Sequence, residues 1–253
     1  MLHREIRDRV LILTLDRPEA RNAINAETTI EMEAALDAFE ADASLWVAII
    51  THRGPVFCAG ADLKAVAGGG GRGIESPTNG FAGLCARERS KPIIAAVDGP
   101  ALAGGFEIAL ACDCIVASTI AQFGLPEVKR ALVATAGGPF RMVRQLGSKI
   151  ALEMMMTGEP ISAARAYELG LVNRVVAPGT VLDAALELAA AINLNAPLSV
   201  RETRHIGVAA LDHDEAALWQ ISRDAMARNL TTEDFREGPR SFVEKRTPQW
   251  KGC

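Results

Sequence analysis

The sequence predicts an α/β fold, because strand-like and helix-like segments alternate for about 180 residues and only helix-like segments follow. Three observations carry that reading. Short β-branched apolar runs recur, each closed by Gly, Pro or Asp. Segments of helical periodicity lie between them. From Thr180 onward the chain is Ala- and Leu-rich and almost free of strand patterning. Together they predict one α/β core with a helical C-terminal extension and no internal repeat.

The elements follow in order. Val10–Leu15 reads as a buried strand stopped by Asp16-Arg17-Pro18. Asn25–Phe39 has helical spacing, with Ile30, Ala34, Ala35, Leu36 and Phe39 on its apolar side. Trp46–Thr51 is a second strand, and Phe57–Leu63 a loop. Ala67–Gly83, with Gly68 to Gly71, Gly73, Pro77 and Gly80, is the most loop-like stretch. It reads either as a flexible cover over a pocket or as a plain surface insertion. Pro92–Val97 and Cys114–Ala117 are strands flanking a Gly-rich turn and a short helix, and Ala121–Gly124 reads as one more short strand. Helices are expected near Phe140–Leu146, Lys149–Met156 and Ser162–Leu169, then a strand at Leu171–Val176. Helix resumes to Ile192, breaks at Asn195-Ala196-Pro197, and continues to Asn229. A last short helix is expected around Glu237–Arg246.

Composition narrows the class. With 253 residues, 49% of them hydrophobic, the chain can bury a sizeable core. The net charge of −4, without a long run of one sign, argues against a nucleic-acid surface. The charged start lacks the apolar run of a secretory signal, and no apolar stretch approaches the roughly 20 residues of a membrane span. The five cysteines form no metal-ligand or redox spacing, and the four histidines are scattered. They point to reduced thiols, a cytoplasmic protein and no metal site.

Two carboxylates stand out. Glu107 lies in Ala-Leu-Ala-Gly-Gly-Phe-Glu-Ile-Ala-Leu and Glu127 in Gln-Phe-Gly-Leu-Pro-Glu-Val, both otherwise apolar. A carboxylate in such a setting is costly unless it is paired or hydrogen-bonded. Gly104 and Gly105 precede Glu107 where a helix begins, and free amides at a helix start favour negative charge. The pattern reads as an acid/base pair beside an anion-binding turn, suited to a thioester or similar carbonyl. It also reads, more plainly, as one capping glutamate and one surface glutamate.

Ordered blocks along nearly the whole chain resemble the crotonase, or enoyl-CoA hydratase/isomerase, superfamily. They are Asp16–Ile24, Phe57–Lys64, Lys91–Gly99, Ala103–Ala109, Phe123–Val128 and Glu159–Ala163. The resemblance implies a spiral of ββα repeats over residues 1–195 and a helical C-terminal trimerisation region over 196–253. It implies a homotrimer, often doubled into a hexamer, an acyl-CoA substrate and no cofactor beyond the CoA that the substrate carries. Gly80–Leu84 and the tail Glu244–Gly252 resemble the carnitinyl-CoA dehydratase branch in particular.

Residue by residue, the resemblance implies Glu107 and Glu127 as the catalytic pair, Glu107 polarising water and Glu127 supplying the α-proton. It implies an oxyanion hole from the Ala61 and Gly104 amides. It implies CoA contacts from Arg21, Ala23, Ala59, Ala61, Asp62, Leu63, Lys64 and Gly104, with Phe242 and Lys245 reaching the adenine end, often from a neighbouring subunit. Arg17 reads as a structural ion-pair partner. After Glu127 the chain departs from the family pattern: Ala131–Gly138 lacks its Pro and one Gly. That wall faces the acyl pocket in the family, so acyl length is left open. The expected reaction is reversible hydration of a trans-2-enoyl-CoA. A dehydratase or isomerase on a specialised CoA thioester, or an acyl-CoA binder without turnover, are the alternatives.

Overall fold

The computed structural model describes residues 1–65 and 73–253. Its elements, in chain order, are β1 (Leu2–Arg7), β2 (Val10–Leu15), α1 (Ala26–Ala41), β3 (Val47–His52), α2 (Leu63–Ala65), β4 (Glu75–Ser76), β5 (Gly80–Phe81), β6 (Ile93–Val97), β7 (Ala101–Leu102), α3 (Gly104–Ala111), β8 (Cys114–Ser118) and β9 (Gln122–Gly124). There follow α4 (Gly138–Leu146), α5 (Ser148–Thr157), β10 (Ile161–Ser162), α6 (Ala163–Glu168), β11 (Arg174–Val176), α7 (Val181–Asn193), α8 (Pro197–Ala209), α9 (Glu215–Asn229) and α10 (Glu233–Glu244).

Among the described residues the main sheet has the order β1-β2-β3-β6-β8-β11, and a small sheet has the order β10-β9-β7. All pairs of the main sheet are parallel except β1 with β2. A repeating unit is visible. Strand β6 lies in the main sheet, β7 in the small sheet, and α3 follows. Strand β3 is likewise followed by Cys58, which bridges to Ala101 of β7, and then by α2.

Both faces of the main sheet are covered, which explains its nearly unbroken apolar strands. Val47 and Ile49 of β3 and Ile94 and Ala96 of β6 pack with Ala184, Ala185 and Ala189 of α7. Their neighbours Ala48, Ile50, Ile93 and Ala95 point the other way, into the larger core with Met32, Leu36 and Phe39 of α1 and Phe106 of α3. The two-residue period of a strand thus splits one run between two cores. Cutting Ile49 to Ala would cost about 2–5 kcal/mol by the usual scale of buried aliphatic loss.

Several expectations need correction. Ile30 and Ala34 are exposed, Ile30 by 65%; Thr28, Thr29 and Met32 take the inner face of α1 with Ala35, Leu36 and Phe39. The run from Pro197 to Asn229 is two helices, because Asp214 caps a new one by accepting from the Ala217 amide at 2.9 Å. Strand β11 is shorter than Leu171–Val176. Residues 67–72 of the expected loop lie outside the described residues. Its remainder is a small hairpin, β4 with β5. The hairpin is tied to α1, since the Thr29 hydroxyl donates to the Ile74 carbonyl at 3.0 Å and Glu33 accepts from Ser76 and Asn79. Three of the five cysteines, Cys58, Cys85 and Cys112, are buried and all five are free.

Candidate active site

The site is built where α3 begins. Gly105 is demanded by space: a Cβ there would lie 2.1 Å from the Cys58 carbonyl oxygen. A Cβ on Gly104 would strike the Phe81 ring at 2.6 Å. Helix α3 therefore sits against the Cys58 strand and the β5 hairpin more closely than any side chain allows. Ala103, just before, holds φ 53° and ψ −133°, a conformation that L-residues rarely adopt. Its amide donates to the Gly124 carbonyl at 2.9 Å, and its own carbonyl accepts from Phe106 and Glu107, so both neighbours enforce the turn.

The Gly60–Ala61 loop closes on the same point. Ile24 donates to the Gly60 carbonyl at 2.8 Å and Asp62 to the Ile24 carbonyl at 2.9 Å, leaving Ala61 between them. A Cβ on Gly60 would sit 3.0 Å from the Gly104 nitrogen, so this loop and the helix start are in contact. Among the described residues no protein acceptor takes the Ala61 or the Gly104 amide. Both residues line one cavity of about 280 Å³.

Glu107 and Glu127 line that same cavity. Glu107 is only 3% exposed, and its Oε1 accepts from the Gly138 amide at 2.8 Å. Burial pushes its carboxyl up from the ordinary range, against the pull of the Gly138 and Ala136 amides and the Arg141 charge. Glu127 lies on a 3₁₀ turn, Pro126–Arg130, that ends at Ala131 in the left-handed region. Its Oε2 is buried and, among the described residues, has no hydrogen-bond partner. Burial first, then the negative charge of Glu107, raise it to about 7, against a single opposing backbone bond.

The other walls are Leu63, Ile74, Phe81, Leu132 and Val133, which are apolar, with Glu75, Arg130 and Thr135 as polar exceptions. Larger grooves exist elsewhere, one of about 800 Å³ between Glu40, Arg87 and α8 that is lined largely by charged side chains. The smaller cavity is the one that brings together two carboxylates with raised pKa values and two untaken amides.

Of the other residues singled out in the sequence, Ala59 and Leu63 also line the cavity. Arg21, Ala23, Asp62 and Lys64 do not, but they adjoin it. The Ala59 amide donates to the Arg21 carbonyl at 3.1 Å, so the Arg21–Ile24 and Ala61–Lys64 segments run side by side. Arg21 and Lys64 are exposed, whereas Ala23 is buried. Arg17 ion-pairs with Asp62 at 3.1 Å and donates to the Ala23 carbonyl, a bracing role for that guanidinium. Phe242 and Lys245 lie at the end of α10 and outside the cavity, with Phe242 84% exposed. Sequence reasoning missed Glu75, Phe81, Arg130, Gly138 and Arg141. Gly138 carried a signal in the Gly137-Gly138 pair and Phe81 in the Gly80–Leu84 run; the rest look like ordinary surface or core residues.

Residues 5–253 match the enoyl-CoA hydratase/isomerase family, and the chain belongs to that family, whose crotonase fold it shares. Among its relatives, a mevalonyl-coenzyme A hydratase of Aspergillus fumigatus is 46% identical over 96% of this chain and 91% of its own length. A carnitinyl-CoA dehydratase of Proteus mirabilis is 43% identical over 99% of this chain and 98% of its own. The crystal structure of an enoyl-CoA hydratase from Mycobacterium marinum superposes with a TM-score of 0.96 at 43% identity, covering 100% of this chain and 99% of that one.

Proposed function

We propose that this protein is an enoyl-CoA hydratase that adds water reversibly across the 2,3 double bond of a trans-2-enoyl-CoA, giving a 3-hydroxyacyl-CoA. One observation carries the reading: a buried and a half-buried glutamate with unlike surroundings share a cavity with two amides that no acceptor among the described residues takes. In this reading the thioester oxygen accepts from the Ala61 and Gly104 amides. As water attacks the β-carbon, charge moves onto that oxygen, and fixed donors in a dry site stabilise it by about 3–4 kcal/mol each. The Gly104 donor also stands at a helix start, where the partial positive charge is largest.

Protons balance across the pair. Ionised Glu107 takes one proton from the water as its oxygen bonds the β-carbon. Protonated Glu127 delivers its proton to the α-carbon as the enolate collapses. The pair ends with the proton exchanged between its members, which is the starting state for dehydration in the reverse direction. Burial raises both carboxyls, but it is opposed more at Glu107, by two amides and the Arg141 charge, than at Glu127, by one backbone bond; in this reading Glu107 therefore takes the ionised role and Glu127 the protonated one.

The test is the ultraviolet absorbance of the conjugated thioester, followed with crotonyl-CoA and longer homologues for wild type and Glu107→Gln. Fast loss in wild type that the variant abolishes supports the reading. Binding of every enoyl-CoA without turnover contradicts it and favours the binder.

A second reading, hydration or dehydration of a CoA thioester with a polar acyl group, is favoured by Glu75, Arg130 and Thr135 on the cavity wall. The relatives named for mevalonyl-CoA and carnitinyl-CoA support it further. Crotonobetainyl-CoA in the same assay distinguishes the two. The reading also carries CoA contacts from Arg21, Lys64 and, across a subunit boundary, Phe242 and Lys245. With it go a homotrimer or hexamer assembled through residues 196–253, turnover without a metal or redox cofactor, and a cytoplasmic location.

A further inference from the structure

Arg141 lies in the first turn of α4, behind the cavity wall rather than on it. Its Nη1 donates to the Ala136 carbonyl at 3.1 Å and its Nη2 to the Cys85 carbonyl at 2.6 Å. The guanidinium therefore staples the 134–138 wall to the segment that follows β5. The wall is shaped to receive it. Gly137 has φ +99°, and a Cβ there would lie 2.1 Å from Arg141 Nη1. The same wall presents the Gly138 amide to Glu107, and a Cβ on Gly138 would lie 2.9 Å from Glu107 Oε1. Wall, guanidinium and carboxylate thus form one packed unit.

The charge on Arg141 has no close counter-ion. It is half-buried, and among the described residues it forms no ion pair within 4 Å; both its bonds go to neutral carbonyls. A desolvated cation without a paired carboxylate is costly, so its longer-range field matters. Glu107 is the carboxylate that bears most on it, beside the Cys85 and Cys112 thiols and the Arg89 guanidinium. On Glu107 itself, Arg141 is opposed by Glu75 from the β4 hairpin, while Glu127 and Arg130 from the 3₁₀ turn share the cavity.

We propose that Arg141 is a positioning residue for Glu107: it fixes the wall whose amides hold that carboxylate, and its charge, set behind that wall, favours the carboxylate that accepts a proton from water. The second half of this statement rests on the function proposed above; the first half does not.

The test is a carbon-13 titration of the Glu107 carboxyl in the substrate-free protein, with each variant's kcat/KM profile measured beside it. Arg141→Gln should raise the Glu107 midpoint by about half a unit or more, as loss of a nearby buried cation does, and lower kcat more than it changes KM. Arg141→Lys, which keeps the charge but loses the planar fork, should return the midpoint toward wild type while leaving much of the rate defect. Glu75→Gln should move the midpoint down, opposite to Arg141→Gln. If the Glu107 midpoint stays fixed in Arg141→Gln and Arg141→Lys while thermal stability alone falls, Arg141 is only a brace and the proposal fails. Shifted midpoints in a protein that turns over no enoyl-CoA would uphold the electrostatic coupling and sink the hydratase reading instead.

Discussion

The start of α3 and the turn Pro126–Arg130 each carry one glutamate to the same cavity, yet they treat it differently. The α3 region is over-determined. Glycines at 104 and 105 let the helix press onto its neighbours, and the wall opposite supplies the Gly138 amide at 2.8 Å to Glu107. The turn is under-satisfied. Glu127 keeps a buried oxygen with no partner among the described residues and is raised to about 7. Two residues of one chemical type, both raised by burial, thus meet unlike opposition to that rise through what their backbones place around them. That is the arrangement an acid/base pair needs.

The contrast can be broken first at Glu107. Glu107→Gln removes the proton acceptor while keeping the side-chain shape, and should lower kcat by about 10²–10⁴, read in the absorbance assay. CoA-ester affinity, read by calorimetry, should change little. Next comes Gly104→Ala. Its Cβ must displace the Phe81 ring, which moves the amide from its place, and should reduce kcat by about 10²–10³, the usual cost of one oxyanion donor. Wild-type activity with an unmoved melting temperature in that variant would remove Gly104 from the site.

The remaining predictions concern pH and sharpen the Glu127 side. Hydration requires Glu127 protonated, so kcat/KM for hydration should fall as pH rises through about 7, and the limb should disappear in the residual activity of Glu127→Gln. The smallest effect is on stability. Glu127 is raised in the folded protein, so the native state binds its proton more tightly than the unfolded chain does. The stability from this group is present below its unfolded value, near 4.5, and is lost as pH rises to about 7. Glu127→Gln should therefore gain on wild type by about 1–3 kcal/mol between pH 5 and pH 8, measured by denaturant unfolding.

The parts of this molecule legible in its sequence share a physical reason. The parallel strands are buried on both faces, so β2, β3, β6 and β8 show as apolar runs. Strand β1 does not: it is a charged edge strand, Leu-His-Arg-Glu-Ile-Arg, joined to β2 through Asp8 at φ 51° without the glycine or asparagine that usually marks such a turn. Glu107, Glu127, Ala61 and Gly104 could be singled out because their chemistry and spacing resemble a family pattern, and the fold does bring all four to one cavity. Arg141 and Glu75 could not. Each acts through a contact between segments far apart in the chain, such as Arg141 with Cys85, and no local pattern encodes that. For the same reason the inner face of α1 differs from its apolar pattern. Thr28 and Thr29 look polar but are buried, Thr29 being satisfied by a carbonyl of the hairpin packed above it.

The most direct measurement is the infrared spectrum of the substrate-free protein near pH 6, with wild type compared to Glu127→Gln and Glu107→Gln. The account predicts a protonated carboxyl band that Glu127→Gln removes and Glu107→Gln leaves in place. A band removed by Glu107→Gln but not by Glu127→Gln would reverse the two roles, and no such band at all would contradict the division of labour between them.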